Sequence, residues 1–348
     1  MRDVLAKTQV YAMVWLALLC AGVWGLNLVS SPVSDDRSVT LVTIPQGVTA
    51  DEIGAILDRA GLIRSKWVFV QTVGLRGASE QLKPGAYELS RSMSLLHIID
   101  KLEHGHVAES WLTIPEGFTA RQIAHFLSAN SVADEREFAT MALSEADEFN
   151  GVTPDSWRSL EGYLFPDTYR FTKGYGSRAV IRDMLRAFRS KVAEPFREEI
   201  AAYRLPGDGT AGSFTDNLAK VVTVASLIER EAKIPADREM IASVLYNRLR
   251  KGMPLQVDAT VQYALGEHRS RLFYKDYETP SDYNTYLRPG LPPGPIANPG
   301  AASVRAALRP ARSDYLYYVA STDGSHIFSR TLQEHNRAVA AVRKARRG

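Results

Sequence analysis

Residues 10–29 (VYAMVWLALLCAGVWGLNLV) carry no charge, and Asn27 is the one distinctly polar side chain among them. At about 1.5 Å of rise per residue, a helical run of about 20 residues crosses a hydrocarbon core of about 30 Å. Arg2 and Lys7 precede the run, whereas Ser30, Ser31 and Pro32 and then Asp35 and Asp36 follow it. The positive-inside bias therefore puts residues 1–9 in the cytoplasm and everything after Ser30 outside. A cleaved signal peptide has a shorter apolar core, about 7–15 residues, and Leu19 is too bulky to precede a lipid-bearing Cys20. The reading is an uncleaved single-pass anchor in the cytoplasmic (inner) membrane, with the body of the chain on the periplasmic, extracytoplasmic side. Cys20 is the sole cysteine and lies inside the run, so the outer part has no intramolecular disulfide and no cysteine nucleophile or metal ligand.

A chain of 348 residues, 45% hydrophobic and 23% charged, has room for two or three packed units after the anchor. Its net charge of +3 is too small and too evenly mixed for a nucleic-acid partner. The local basic excess at residues 343–347 reads as a solvated tail that can touch anionic polymer or lipid.

The outer part opens with an internal repeat. TIPQGVTA at residues 43–50 recurs as TIPEGFTA at residues 113–120, Pro45 to Pro115 being 70 residues, and Ile53 and Leu57 match Ile123 and Leu127. Each copy predicts a short strand, a Pro/Gly turn, a threonine N-cap and an amphipathic helix. The first copy continues into a second helix at residues 66–75, a strand at 85–89 and a helix at 95–102 that ends at His104 and Gly105. That strand–helix–helix–strand order resembles a LysM-type glycan-binding module; a small structural domain that spaces the next one has the same pattern. Further on, helices are predicted at residues 134–148, 177–203, 215–233 and 236–251. Residues 254–300, rich in Pro, Gly, Asn and Tyr, read as loops that shape a site. Strands at 315–320 and 326–329 and a closing helix finish an α+β fold.

Two glutamates stand out. Glu161 lies between Leu160 and Gly162-Tyr163-Leu164-Phe165. Apolar walls disfavour a charged carboxyl, so this one is either a proton donor with a raised pKa or a structural acid paired with arginine. On the helix at 215–233, Leu218, Val222, Ala225 and Glu229 share one stripe, while Glu231 points away from it. Glu229 is thus either a cleft residue or one half of a buried salt bridge to Arg238 or Arg248. The seven histidines show no ligand spacing, and no H-E-x-x-H, phosphate-binding loop or G-x-S-x-G is present. No metal or cofactor is expected.

The segments LEGYLFPDTY (160–169), VASLIERE (224–231), LQVDATVQY (255–263), YNTYLRPGLPPGPIANPG (283–300) and YLYYVA (315–320) resemble, in the same order, the MltG/YceG-like endolytic murein transglycosylases. So does the ending with His326-Ile327-Phe328 and Glu334-His335-Asn336. One departure is Ala259, where many members carry proline. The resemblance implies residues 37–108 as a LysM-like module and 109–345 as a YceG-like catalytic domain. It makes Glu161 the catalytic carboxyl and gives Glu229, Gln256, Asp258, Asn284 and Tyr286 substrate-binding roles. It implies an internal, lytic cut of the bond between N-acetylmuramic acid and N-acetylglucosamine, leaving 1,6-anhydro ends and terminating nascent strands. Glycan strands, the membrane and peptidoglycan synthases are the implied partners.

Overall fold

The computed structural model describes residues 30–45, 47–105, 109–149, 159–206, 212–266, 269 and 272–345. The predicted anchor at 10–29, with Cys20, lies outside the described residues, as does the end of the basic tail. Among the described residues no helix is long and apolar enough to cross a membrane. The chain divides into two bodies, one ending at Ser110 but including Arg170–Tyr175, the other built from Trp111–Tyr169 and Gly176–Gly348.

The first body has the predicted order: β1 (Val39–Ile44), α1 (Ala50–Arg59), α2 (Lys66–Leu75), β2 (Gly85–Ser90) and α3 (Leu95–His104). β1 and β2 pair antiparallel, from Val39 opposite Ser90 to Ile44 opposite Gly85. Val42 and Ile44 alternate inward and meet Ile53 and Leu57 of α1, Phe69 and Val73 of α2, and Ile98, Ile99 and Leu102 of α3. Each such buried side chain contributes about 1.5–3 kcal/mol. The start of α1 is fixed by Thr49, whose hydroxyl accepts from Glu52 N while the Glu52 carboxylate accepts from Thr49 N. Gly105 ends α3 in the left-handed conformation.

The second body repeats that capping device. Thr119 and Gln122 form the same box at the start of α4 (Ala120–Ala129), so the sequence repeat is a repeat of local structure. After α4 come α5 (Glu135–Ser144), α6 (Ser177–Phe188), α7 (Arg197–Ala202), α8 (Phe214–Glu231) and α9 (Arg238–Arg250). The helix expected over 177–203 is interrupted by a wide π-turn at Arg189–Ala193. Within the region read as loop there is a helix, α10 (Asp258–Leu265), and α11 (Ala301–Leu308) follows it. A hairpin of β3 (Tyr317–Ala320) and β4 (His326–Ser329) precedes α12 (Leu332–Ala345). His326 ties this hairpin down, giving both its N–H and its Nδ1 to the Asp237 carboxyl at 2.8 Å.

The centre is α8, buried at every position from Val221 to Ile228. A helix buried on every side has no solvent face, so the predicted stripe does not say which residues face water. Small residues of α11, Ser303, Ala306 and Ala307, are buried where it packs against α8. Gly162 sits against this core with φ +90°, and a Cβ there would lie 2.6 Å from Pro295 and 2.8 Å from Val222. No other residue fits both the backbone angle and the space.

Candidate active site

Glu161 is 3% exposed and lies at the N-terminus of α4. Its Oε1 accepts from Ala120 N and from Asn298 Nδ2, both at 2.9 Å; its Oε2 accepts from Ala120 N at 3.2 Å and Tyr263 Oη at 3.4 Å. Asn298 is the clip behind it. Its Oδ1 accepts from Gly162 N (2.8 Å) and Leu164 N (2.9 Å), and its Nδ2 also donates to Phe118 O. Burial pushes the Glu161 carboxyl up to about 8, against the pull of these hydrogen bonds. Asp167 of the same motif turns away to pair with Lys191 and to accept from Thr168 N. A cleft of about 820 Å³ lies over Glu161, walled by Phe118, Arg121, Phe126, Gln262, Tyr263 and Tyr283.

Glutamine is an isostere of the protonated acid, which gives a test of this burial. The folded protein holds the Glu161 proton up to about pH 8, whereas the unfolded chain releases it near 4.5. In that window the native state binds more protons, so stability falls as pH rises, by at most about 1.4 kcal/mol per pH unit. Urea unfolding of Glu161→Gln should lose that part of the slope, making the variant more stable than the parent at pH 8 relative to pH 5. Parallel pH dependences would show that Glu161 is ionised in the fold.

A second acidic centre lies on the far side of α10's first turn. Glu231, the last residue of α8, is partly buried; its carboxyl accepts from Tyr318 Oη and Ala259 N. Burial, and then the negative charge of Asp258, push it up to about 7. Asp258 is exposed and accepts from Tyr286 Oη at 2.6 Å, and the Tyr286 ring lies edge-on to Tyr277 at 4.6 Å. Gln256 is exposed at φ +52°, a strained backbone for this residue type, and its amide oxygen faces Arg248 Nη1 at 3.3 Å. Arg248 stacks on Tyr317 and donates to Leu255 O and Leu316 O.

The residues expected from the sequence therefore divide. Asp258 and Tyr286 gather around Glu231 rather than Glu161, and Gln256 meets Arg248, which acts electrostatically on Tyr286 and Tyr318. Asn284 is wholly covered: its amide donates to Tyr277 O and Thr279 O and accepts from Tyr286 N, so it shapes the loop that presents Tyr286. Glu229 pairs with Arg238 at 3.3 Å and accepts from Gly300 N at 3.0 Å, the salt-bridge alternative of the sequence reading, and it does not line the cleft. Glu231 falls off the apolar stripe, so the stripe does not mark it. The signal for it is its place just past the buried run Val221–Ile228, where a carboxyl needs polar partners. The one group among the described residues with metal-ligand spacing, Asp100, Glu103 and His104 of α3, is engaged in ion pairs, Asp100 with His104 and Glu103 with Arg76.

A carboxyl held protonated near neutral pH, a second carboxylate against it and a ring of tyrosine hydroxyls make up an acid–base enzyme site of the kind that breaks glycosidic bonds. The comparisons agree. A family profile described as the YceG-like family matches residues 42–341. The endolytic murein transglycosylase of Bacillus subtilis (strain 168) is 38% identical over 337 residues, 91% of this chain and 89% of that protein. The protein of the same name from Streptococcus pneumoniae (strain D39) is 31% identical across 94% of this chain, which spans 64% of that relative's length. A crystal structure of a yceG-like protein from Listeria monocytogenes superimposes with a TM-score of 0.53 at 38% identity, covering 87% of this chain and all of the other. The chain belongs to the YceG-like family.

Proposed function

We propose that this protein is an endolytic murein transglycosylase whose proton-carrying carboxyl is Glu231. The observation that carries the assignment is the Glu231–Asp258 pair: a proton held to about pH 7 beside a second carboxylate, among the tyrosines and Gln256 that the family motifs bring together. Glu231 gives its proton to the oxygen bridging N-acetylmuramic acid and N-acetylglucosamine, and the glycosidic bond breaks. Tyr318 and Ala259 N–H stabilise the carboxylate left behind, and Asp258 faces the positive charge that develops on the sugar. The ionised Glu231 then takes the proton of the muramyl 6-hydroxyl as that oxygen closes on C1. No water is consumed, and the product is a 1,6-anhydro end.

A second reading gives the same role to Glu161, as the family resemblance implies. The 820 Å³ cleft over Glu161 favours it; against it, three protein donors converge on that carboxyl, Ala120 N, Asn298 Nδ2 and Tyr263 Oη, against two on Glu231. In either case the first body serves as a LysM-like glycan-binding module, residues 10–29 anchor the enzyme in the cytoplasmic membrane with its site outside, and strands leaving membrane synthases are its substrate. The order β1–α1–α2–β2 and the apolar run support those roles.

Mass spectrometry of polymeric peptidoglycan treated with the detergent-solubilised chain tests the reaction. Internal fragments with anhydro ends are expected from the parent and from Glu161→Gln, and none from Glu231→Gln. Loss in Glu161→Gln with activity kept in Glu231→Gln would move the role to Glu161. Reducing ends would replace the lytic cut with hydrolysis.

A further inference from the structure

We propose that the cleft over Glu161 is a binding subsite for the carboxylate-bearing arm of a muramyl residue, with Arg121 and Arg230 as its cations. This rests on the glycan-cutting reading above. The cleft adjoins the Glu231 centre through residues that serve both: Ala259 and Arg230 line it, Ala259 N–H binds the Glu231 carboxyl, and Arg230 acts on the same carboxyl electrostatically. The cleft therefore lies where the part of the substrate flanking the cut must run.

Its chemistry is that of an anion site with apolar walls. Phe118, Phe126, Tyr263 and Tyr283 give ring faces, on which sugar rings and short aliphatic side chains pack. Among the described residues neither Arg121 nor Arg230 has a carboxylate within ion-pair distance; Arg230 spends one N–H on Gly117 O at 3.1 Å, and Arg121 is exposed. The cleft's own acid, Glu161, keeps its proton at neutral pH and adds no negative charge. The nearest lining histidine, His125, is paired with Glu135 at 3.2 Å. Among the described residues, two guanidinium groups thus line 820 Å³ of space without an ion-pair partner. A glycan backbone is neutral; the anions of a murein strand hang from the lactyl arm of the muramyl sugar, as the free lactyl carboxylate or as carboxylates of an attached stem peptide. Guanidinium forks match carboxylates with paired, charge-assisted hydrogen bonds.

The test measures binding to full-length Glu231→Gln protein, which does not turn over its ligand. Three soluble probes are used: strands with stem peptides, strands stripped to the free lactyl carboxylate, and N-acetylglucosamine oligomers with no lactyl arm. Adding Arg121→Gln should weaken binding of a carboxylate-bearing probe about 10- to 100-fold and leave the neutral oligomers unchanged. Arg121→Lys should recover part of the loss, and added salt should shrink it. A loss confined to stem-bearing strands assigns the stem carboxylates; one confined to stripped strands assigns the lactyl group. An equal loss on all three probes, or no loss on any, overturns the subsite while leaving the enzyme reading intact. Failure of every probe to bind the parent would overturn the enzyme reading itself. Arg121 is exposed, so its replacement spares the fold, which an unchanged melting temperature will show.

Discussion

Replacing Glu231 with glutamine is expected to lower the rate of anhydro-end formation by about a thousandfold or more, within the range that removal of a general acid–base group produces, while the melting temperature stays close to the parent's. Glutamine keeps the shape and can accept from Tyr318 and Ala259 N, but it holds no transferable proton. It also removes like-charge repulsion with Asp258, so little stability is lost. The neighbour gives a second, graded readout. Asp258 raises the proton affinity of Glu231, so Asp258→Asn should lower it. The acid form is the one that starts the reaction, and its population falls as pH rises through its pKa. The alkaline limb of the pH–rate profile, expected near pH 7 in the parent, should therefore move to lower pH in Asp258→Asn. A purely structural Asp258 would change the rate without moving that limb. An unmoved limb together with an active Glu231→Gln would return the assignment to Glu161.

The division between the two centres explains what was legible in the sequence. Caps, strands and the first helices follow from local rules: Thr49 and Thr119 each announce a helix, and both build the capping box. The Pro/Gly/Tyr-rich region reads as loop because α10 is only eight residues long and starts with no side-chain cap, so it lacks both the period and the boundary that mark a helix. That omission mattered, since α10 holds Asp258 and Ala259 at one end and Tyr263 toward the other, and so touches both glutamates. The apolar setting of Glu161 is legible because its immediate neighbours supply the walls. Its partners Asn298 and Tyr263 are more than a hundred residues away in sequence, and nothing local shows that they occupy its oxygens. Glu231 escapes a rule that is sound for surface helices. The stripe argument assumes a wet face, and α8 has none between Val221 and Ile228.

The largest loss of stability is expected at Asn298, in Asn298→Ala. The side chain is wholly buried and completes hydrogen bonds to four groups: Gly162 N, Leu164 N, Phe118 O and Glu161 Oε1. Two of these keep another partner, because Phe118 O still receives Asn298 N and Oε1 still receives Ala120 N. The N–H groups of Gly162 and Leu164 lose the acceptor that serves both. A buried donor left without its partner costs about 1–3 kcal/mol, so the two together, with the space left by the amide, come to about 3–5 kcal/mol. That is a large share of the about 5–15 kcal/mol that keeps a domain folded. Asn298→Asp separates the roles of the amide. It retains the acceptor for the two N–H groups but removes the donor to Glu161 and puts a second carboxyl beside it. Two carboxyls in contact hold a proton between them more tightly, so this variant should approach parental stability at pH 5 and fall well below it at pH 8. Urea unfolding at both pH values measures each effect. If Asn298→Ala unfolds within about 1 kcal/mol of the parent, less than one orphaned donor should cost, the clip is not what holds the LEGYLFPDTY segment in place. If instead the folded fraction of that variant cuts strands at the parental rate, a carboxyl robbed of its principal side-chain partner is still not limiting the chemistry, and Glu161 is a brace for the cleft rather than its acid.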